Sequence, residues 1–266
     1  MDMWQEKRLL VLGMTYPSYS SKYTENVCTG AIEEDTGRLI RIHPVPLRYL
    51  DEDHSFKTFQ WIRARVAPHP NDPRPESLRV DPQSIVLEQV LSSKEHALRR
   101  KLLEESPHLV HSVEELLERQ KRDRVSLGIV KPKKISDLRI ARRTAAERAE
   151  WLQKEAELLS QENLFGERMK RLDFPELKFL VGWECDDPRC SGHEMNLLEW
   201  GLHELARKYR HHPDREAKLL EAMQKRLDTR RRDVYLFLGN FRNRMYNFGL
   251  MGAWSAPAQV QQSLFD

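Results

Sequence analysis

Short apolar runs, some alternating with charged residues, fill the N-terminal third of the chain, and helical spacing becomes frequent further on. Arg8-Leu9-Leu10-Val11-Leu12-Gly13-Met14 is nearly continuous in apolar character and predicts a buried strand. Residues 27–32 predict a second strand, Asp35-Thr36-Gly37 a turn, and residues 38–43 the return strand. A period of two places Leu39, Arg41 and His43 of that return strand on one face. Residues 59–66 alternate again, with Arg63 and Arg65 on a shared side. Residues 68–75 are dense in proline and predict irregular backbone. Apolar runs at 84–91, 125–130, 177–183, 234–240 and 248–254 predict further strands.

Periods of three and four predict helices at 92–105, at 112–121 behind a Ser112/Glu115 capping box, and at 144–161 with Trp151, Leu152 and Leu159 inward. Asn196 is expected to cap another helix carrying Leu198, Leu202, Leu205 and Tyr209. A last helix starts at Asp214 and turns Leu220, Met223 and Leu227 inward. Antiparallel strands with one basic and aromatic face are what a small nucleic-acid-binding barrel offers.

Composition narrows the class without naming a partner. A chain of 266 residues with 32% charged and 39% hydrophobic residues can bury one large core or two small ones. It contains no window of about 18 apolar residues, so no membrane span is expected. Its first residues lack the basic and apolar regions of a signal peptide. Three cysteines fit a reducing, cytoplasmic setting better than a disulfide framework. Phosphate-loop, dinucleotide, nucleophile-elbow and zinc-protease motifs are all missing from the sequence.

The densest chemistry lies in Cys185-Asp186-Asp187-Pro188-Arg189-Cys190-Ser191-Gly192-His193. Two thiolates and an imidazole in a tight knuckle suit tetrahedral Zn²⁺. An iron–sulfur cluster is the alternative cofactor, and a polar turn with unrelated thiols is the bland one. The only other thiol is Cys28, so a site of Cys28, Cys185, Cys190 and His193 would use every cysteine. Phosphate contacts are expected from Lys22, Arg41, Arg63, Arg65, Lys131, Lys133, Lys134, Arg230, Arg231 and Arg232, with Tyr16 and Tyr23 as stacking rings for DNA or RNA. Helix capping accounts for part of the arginine cluster, and loop packing is the ordinary role of such tyrosines. Catalytic residues are not identified. Asp72, Glu76, Asp186, Asp187 and Glu199 are candidate carboxylates for a metal-dependent nuclease, although their spacing matches no such motif.

Two resemblances add to these readings. Residues 261–265, Gln-Gln-Ser-Leu-Phe, closely resemble the pentapeptide by which bacterial replication and repair proteins bind the sliding clamp. The resemblance implies that Leu264 and Phe265 fill an apolar pocket on the clamp, with Gln261 and Ser263 at its edge. Val27-Cys28-Thr29-Gly30, Asp72-Pro73-Arg74-Pro75-Glu76-Ser77, Ser126-Leu127-Gly128-Ile129-Val130-Lys131-Pro132 and the cysteine knuckle resemble an uncharacterised bacterial family with two OB-like barrels. That resemblance implies an architecture and a metal, not an activity. The expected fold is therefore α+β, with two small OB-like antiparallel β-barrels, inserted helices and a metal knuckle. Its expected parts are a first barrel at 1–80, a second at 81–183, a knuckle, helices and closing strands at 184–256, and a clamp-binding tail at 257–266. The expected function is a nucleic-acid-binding accessory protein of DNA replication, repair or defence.

Overall fold

The computed structural model describes residues 4–20, 24–162 and 170–259. The chain begins with β1 (Gln5–Met14), β2 (Ser18–Ser20), β3 (Thr24–Asn26), β4 (Thr29–Glu33), β5 (Leu39–Ile42), β6 (Gln60–Pro68), β7 (Ser77–Val80) and β8 (Val86–Val90). It continues through α1 (His96–Glu104), β9 (Leu109–Val110), α2 (Val113–Asp123), β10 (Leu127–Val130), β11 (Lys134–Arg142) and α3 (Ala145–Glu162). It ends in β12 (Leu177–Glu184), β13 (His193–Asn196), α4 (Trp200–Lys208), α5 (Arg215–Leu227), β14 (Arg232–Phe241) and β15 (Arg244–Pro257).

The first sheet runs β1-β4-β5-β7-β6, and β6 pairs back onto β1, so these five strands close a barrel. The β5–β7 contact is parallel and the others are antiparallel. Closure leaves β1, β4 and β5 without a free edge, and β8 covers part of β6. Leu9, Val11, Ala31, Ile40, Ile42, Ile62, Ala64 and Val66 fill one barrel core, as period-two alternation requires. β8 extends this first sheet to Val90.

The second half holds the sheet β15-β14-β10-β9 and the smaller sheet β11-β12-β13. A bridge between Leu197 and Leu250 links them. Phe179, Val181, Trp183, Leu202, Leu219, Met223, Leu236 and Leu250 bury a core between these sheets and helices α2, α4 and α5. A third cluster crosses the two halves: Leu10, Leu12, Ile32 and Trp61 pack with Leu127, Tyr235, Phe237, Met251 and Trp254. Among the described residues, no helix is long and apolar enough to cross a membrane.

Two local expectations change. Asn196 does not cap a helix: it pairs with Leu180 across β12–β13, and its side-chain carbonyl accepts the Phe179 N–H at 2.9 Å. Strand pairing outcompetes the cap, and α4 starts four residues later behind Glu199. Leu152 is half exposed, and Leu158 takes the buried position of α3 beside Tyr19 and Leu172. The basic stretch after Lys134 is a nine-residue strand held along its length by β12.

Candidate functional site

The knuckle hangs between β12 and β13, whose register sets Trp183 opposite His193. Gly192 takes a φ of +91°, a backbone conformation that favours glycine, and the Cys190 N–H donates to the Asp187 carbonyl at 3.0 Å. Asp187 pins the loop by accepting from Arg189 and from the Ser112 hydroxyl at 2.8 Å. Ser112 also caps α2 by accepting the Glu115 N–H at 3.0 Å. The cap brings Glu114, in the first turn of α2, over the knuckle.

Glu114, Cys185, Cys190 and His193 each offer a ligand atom, all within 4.8 Å of one another. His193 Nε2 lies 3.2 Å from Cys185 Sγ, 3.3 Å from Cys190 Sγ and 3.8 Å from Glu114 Oε1. Ligands about 2.0–2.3 Å from a tetrahedral ion stand about 3.3–3.8 Å apart, so the group fits a metal ion. Glu114 Oε2 is buried with no hydrogen-bond partner among the described residues, as a carboxylate kept for a cation would be. Burial pushes the Cys185 thiol up to about 12, against the pull of the Val113 amide. Burial also holds the His193 imidazole below its ordinary range, which keeps its lone pair free.

The fourth residue of the group is Glu114 and not Cys28. Cys28 stands just before β4 in the barrel, where its N–H donates to Thr15 Oγ1 at 3.2 Å. It packs against the core shared by the two halves. Pairing of β1 with β4 holds it there, away from the hairpin that carries the other two thiols. Glu114 escaped sequence reasoning because an acidic residue in a first helical turn already has a local explanation in the helix dipole.

The expected phosphate-binding residues fall in separate places. Lys133, Lys134 and Arg230 line one open groove of about 860 Å³ beside the knuckle, together with Asp137 and Asp228. Lys133 reaches Asp186 at 3.8 Å, Lys134 reaches Glu184 at 3.9 Å, and Asp228 holds Arg230 at 2.9 Å and Arg231 at 3.8 Å. Lys131 pairs with Asp233 at 2.9 Å, and Arg232 donates to the Ser255 hydroxyl at 2.8 Å. On the barrel, Arg63 pairs with Glu88 and Arg65 with Asp81, each at 2.9 Å. Arg41 is 1% exposed and off the open surface, because its face of β5 turns toward the second half. Lys22, Tyr23 and the tail positions Gln261, Ser263, Leu264 and Phe265 lie outside the described residues.

Arg41 opens onto a pocket of about 480 Å³ between the two halves, a feature the sequence did not suggest. The β1–β4 connection supplies Thr15, Tyr16, Pro17, Ser18, Ser20 and Cys28. The β6–β7 connection supplies His69, Asp72 and Arg74, and the second half adds Arg143, Trp151, His203 and residues 239–242. Arg41 donates to Ser77 Oγ and Ser126 Oγ at 3.0 Å and to the Ser126 carbonyl at 3.2 Å. Glu76 accepts the Ser126 N–H at 2.9 Å and its hydroxyl at 2.7 Å. Arg74 clasps Asp72 with two nitrogens and donates to the Asn240 carbonyl at 2.7 Å. Burial raises the Asp72 carboxyl, and the Arg74 hydrogen bonds and charge outweigh it, leaving it well below the usual carboxylate range. A Cβ at residue 239 would stand 3.1 Å from Arg41 Nη2 and 2.3 Å from Met251 Sδ, so only Gly239 lets β14 pass beneath.

Burial lowers His43 and His203 to about 4, so both rings are neutral at pH 7. Burial raises Tyr16 to about 12; its hydroxyl donates to the Asp173 carbonyl at 2.8 Å and its ring lies 4.9 Å from His203. Four of the five candidate carboxylates are tied into structural partnerships: Asp72 with Arg74, Glu76 with Ser126, Asp187 with Arg189, and Glu199 with Arg226 at 2.7 Å. Asp186 is exposed near Lys133.

Residues 109–266 match the family described as Domain of unknown function (DUF8757), and residues 5–105 match the one described as Domain of unknown function (DUF8758). No curated protein matches the chain.

Proposed function

The chain belongs to the DUF8757 family, and we propose that it is a nucleic-acid-binding accessory protein of DNA replication, repair or defence. The observation that carries this reading is which barrel loops line the interdomain pocket. Numbered by order in the chain, the five barrel strands run 1-2-3-5-4 and close on the first, an arrangement we read as OB-like. OB-like barrels bind oligonucleotides through the connections between strands 1 and 2 and strands 4 and 5. In this chain those are the β1–β4 and β6–β7 connections, and both line the pocket. The linked second sheets are read as the second barrel. The basic groove of Lys133, Lys134 and Arg230 offers a path for a phosphate backbone, and a zinc ion on Cys185, Cys190, His193 and Glu114 would keep its neighbouring loop rigid. The tail motif at Gln261, Ser263, Leu264 and Phe265 would recruit the protein to a sliding clamp.

Fluorescence anisotropy with labelled single-stranded DNA and RNA tests the reading. Affinity should fall steeply between about 50 and 200 mM salt, because each phosphate contact releases counterions. Charge reversal at Lys133, Lys134 and Arg230 should weaken binding and flatten that dependence. Replacing Leu264 and Phe265 by alanine should abolish clamp binding and leave nucleic-acid affinity unchanged. No binding of either strand type at low salt would overturn the reading.

A further inference from the structure

We propose that the floor of the interdomain pocket is a receptor for the phosphate monoester of a nucleotide, held by Arg41 and Arg143, with the base against Tyr16 and Trp151. The choice of a nucleotide rests on the nucleic-acid reading; the choice of a phosphate rests on the pocket alone.

Among the described residues the lining carries four guanidinium groups, Arg41, Arg74, Arg143 and Arg242, and one carboxylate, that of Asp72. Arg74 already neutralises that carboxylate. Two further carboxylates stand behind the wall. Glu76 is bound to Ser126, and Glu147 accepts from Arg143 Nη1 at 3.0 Å and pairs with Lys178 at 2.9 Å. Of the three lining histidines, His43 and His203 are held neutral by burial and add no charge at pH 7.

Unused donors point the same way. Among the described residues Arg41 gives three of its five N–H groups to hydroxyls and a carbonyl, and none to a carboxylate. Arg41 is 1% exposed and binds only neutral oxygens directly; Glu76 reaches it through the Ser126 hydroxyl, and two of its N–H groups stay available to a buried anion. Arg143 Nε is buried with no hydrogen-bond partner among the described residues. A phosphate monoester offers the concentrated charge and several acceptor oxygens that such donors match.

Shape selects the rest of the ligand. Arg41, Arg74, His69, Asn240 and Met251 are buried, whereas Ser18, Phe241 and Arg242 at the mouth are exposed. A ligand's inward end is thus stripped of water while its other end reaches solvent, which suits a chain end better than an internal phosphodiester. Trp151, half buried against Tyr19 at 4.9 Å and Phe174 at 5.8 Å, is a firm ring for a flat base. The volume, about 480 Å³, lies in the range of ordinary small-ligand sites.

Calorimetry on the full, metal-loaded chain tests the proposal with nucleoside 5′-monophosphates, the matching nucleosides, and oligonucleotides ending in phosphate or hydroxyl. Monophosphates or phosphate-ended strands should bind, and nucleosides should not. Whichever of the two phosphate probes binds tighter identifies the source as a free nucleotide or a strand end. Arg41→Gln removes contacts across the seam and is expected to impair folding, so Arg143→Gln and Arg242→Gln carry the test. Each should weaken phosphate binding by about tenfold or more without moving the melting temperature. Oligonucleotides that bind equally with either end, while monophosphates fail, would overturn the proposal and leave the nucleic-acid reading intact. Monophosphate binding without strand binding would uphold the proposal and remove that reading. Affinity unchanged in both variants would also overturn it.

Discussion

The interdomain seam and the cysteine knuckle both take polar side chains out of water, and they satisfy them by opposite means. At the seam the principal acceptors have donors: Asp72 has Arg74, Glu76 has Ser126, and the Asn240 carbonyl has Arg74. At the knuckle four lone-pair donors face one another, and Glu114 Oε2 has no hydrogen-bond partner among the described residues. A closed network fixes the relative position of two halves; a convergent set of acceptors asks for a cation. The contrast separates architecture from binding, since the seam's carboxylates have donors and the knuckle's ligand atoms converge on one another. It also isolates Arg41, whose side-chain bonds among the described residues go to two hydroxyls and a carbonyl.

The largest effect should come from opening the closed network. Arg74→Ala leaves Asp72 buried without its cation and frees the Asn240 carbonyl, a loss of about 3–5 kcal/mol by urea denaturation. Replacing Asp72 and Arg74 together with leucine and methionine should recover most of that loss. If Arg74→Ala costs less than about 1 kcal/mol, the pair is not the clasp described here.

A smaller effect is expected from protonating the seam. His203 is held at about 4 in the folded chain and returns to about 6.5 on unfolding. The unfolded state therefore binds the proton first, so this contribution is complete above about pH 6.5 and is lost as pH falls through about 4. Between those limits the ring should cost roughly 3 kcal/mol of stability. His43 acts in the same direction, so His203→Leu should flatten the measured pH profile only in part. An unchanged profile in that variant would contradict the buried neutral ring.

The mildest test discriminates between two fourth ligands. Glu114→Gln should lower metal affinity by about 10–100-fold or more in competition with a chromophoric chelator. Cys28→Ser should leave both affinity and metal content unchanged. Elemental analysis and the visible spectrum of the same samples separate zinc, which is colourless, from an iron–sulfur cluster. Metal loss in Cys28→Ser with retention in Glu114→Gln would restore the all-cysteine assignment.

What the chain alone determined is local. Strands at Gln5–Met14, Leu39–Ile42 and Gln60–Pro68 are legible because alternation and apolar runs depend only on near neighbours. Cys185, Cys190 and His193 are legible for the same reason, since nine consecutive residues carry all three donors. Glu114 was decided elsewhere: it stands 71 positions before Cys185, and only the Ser112 cap and its bond to Asp187 bring it there. Asn196 has the chemistry of a helix cap, yet β12 claims it, because a strand partner is visible only once the sheet forms. Alternation assigned Arg41 to the right face of its strand, but whether that face meets water or the second half depends on how the barrel docks. The pocket has the same origin: residues from 15 to 251 meet there through barrel closure and the shared apolar core, which no local period encodes.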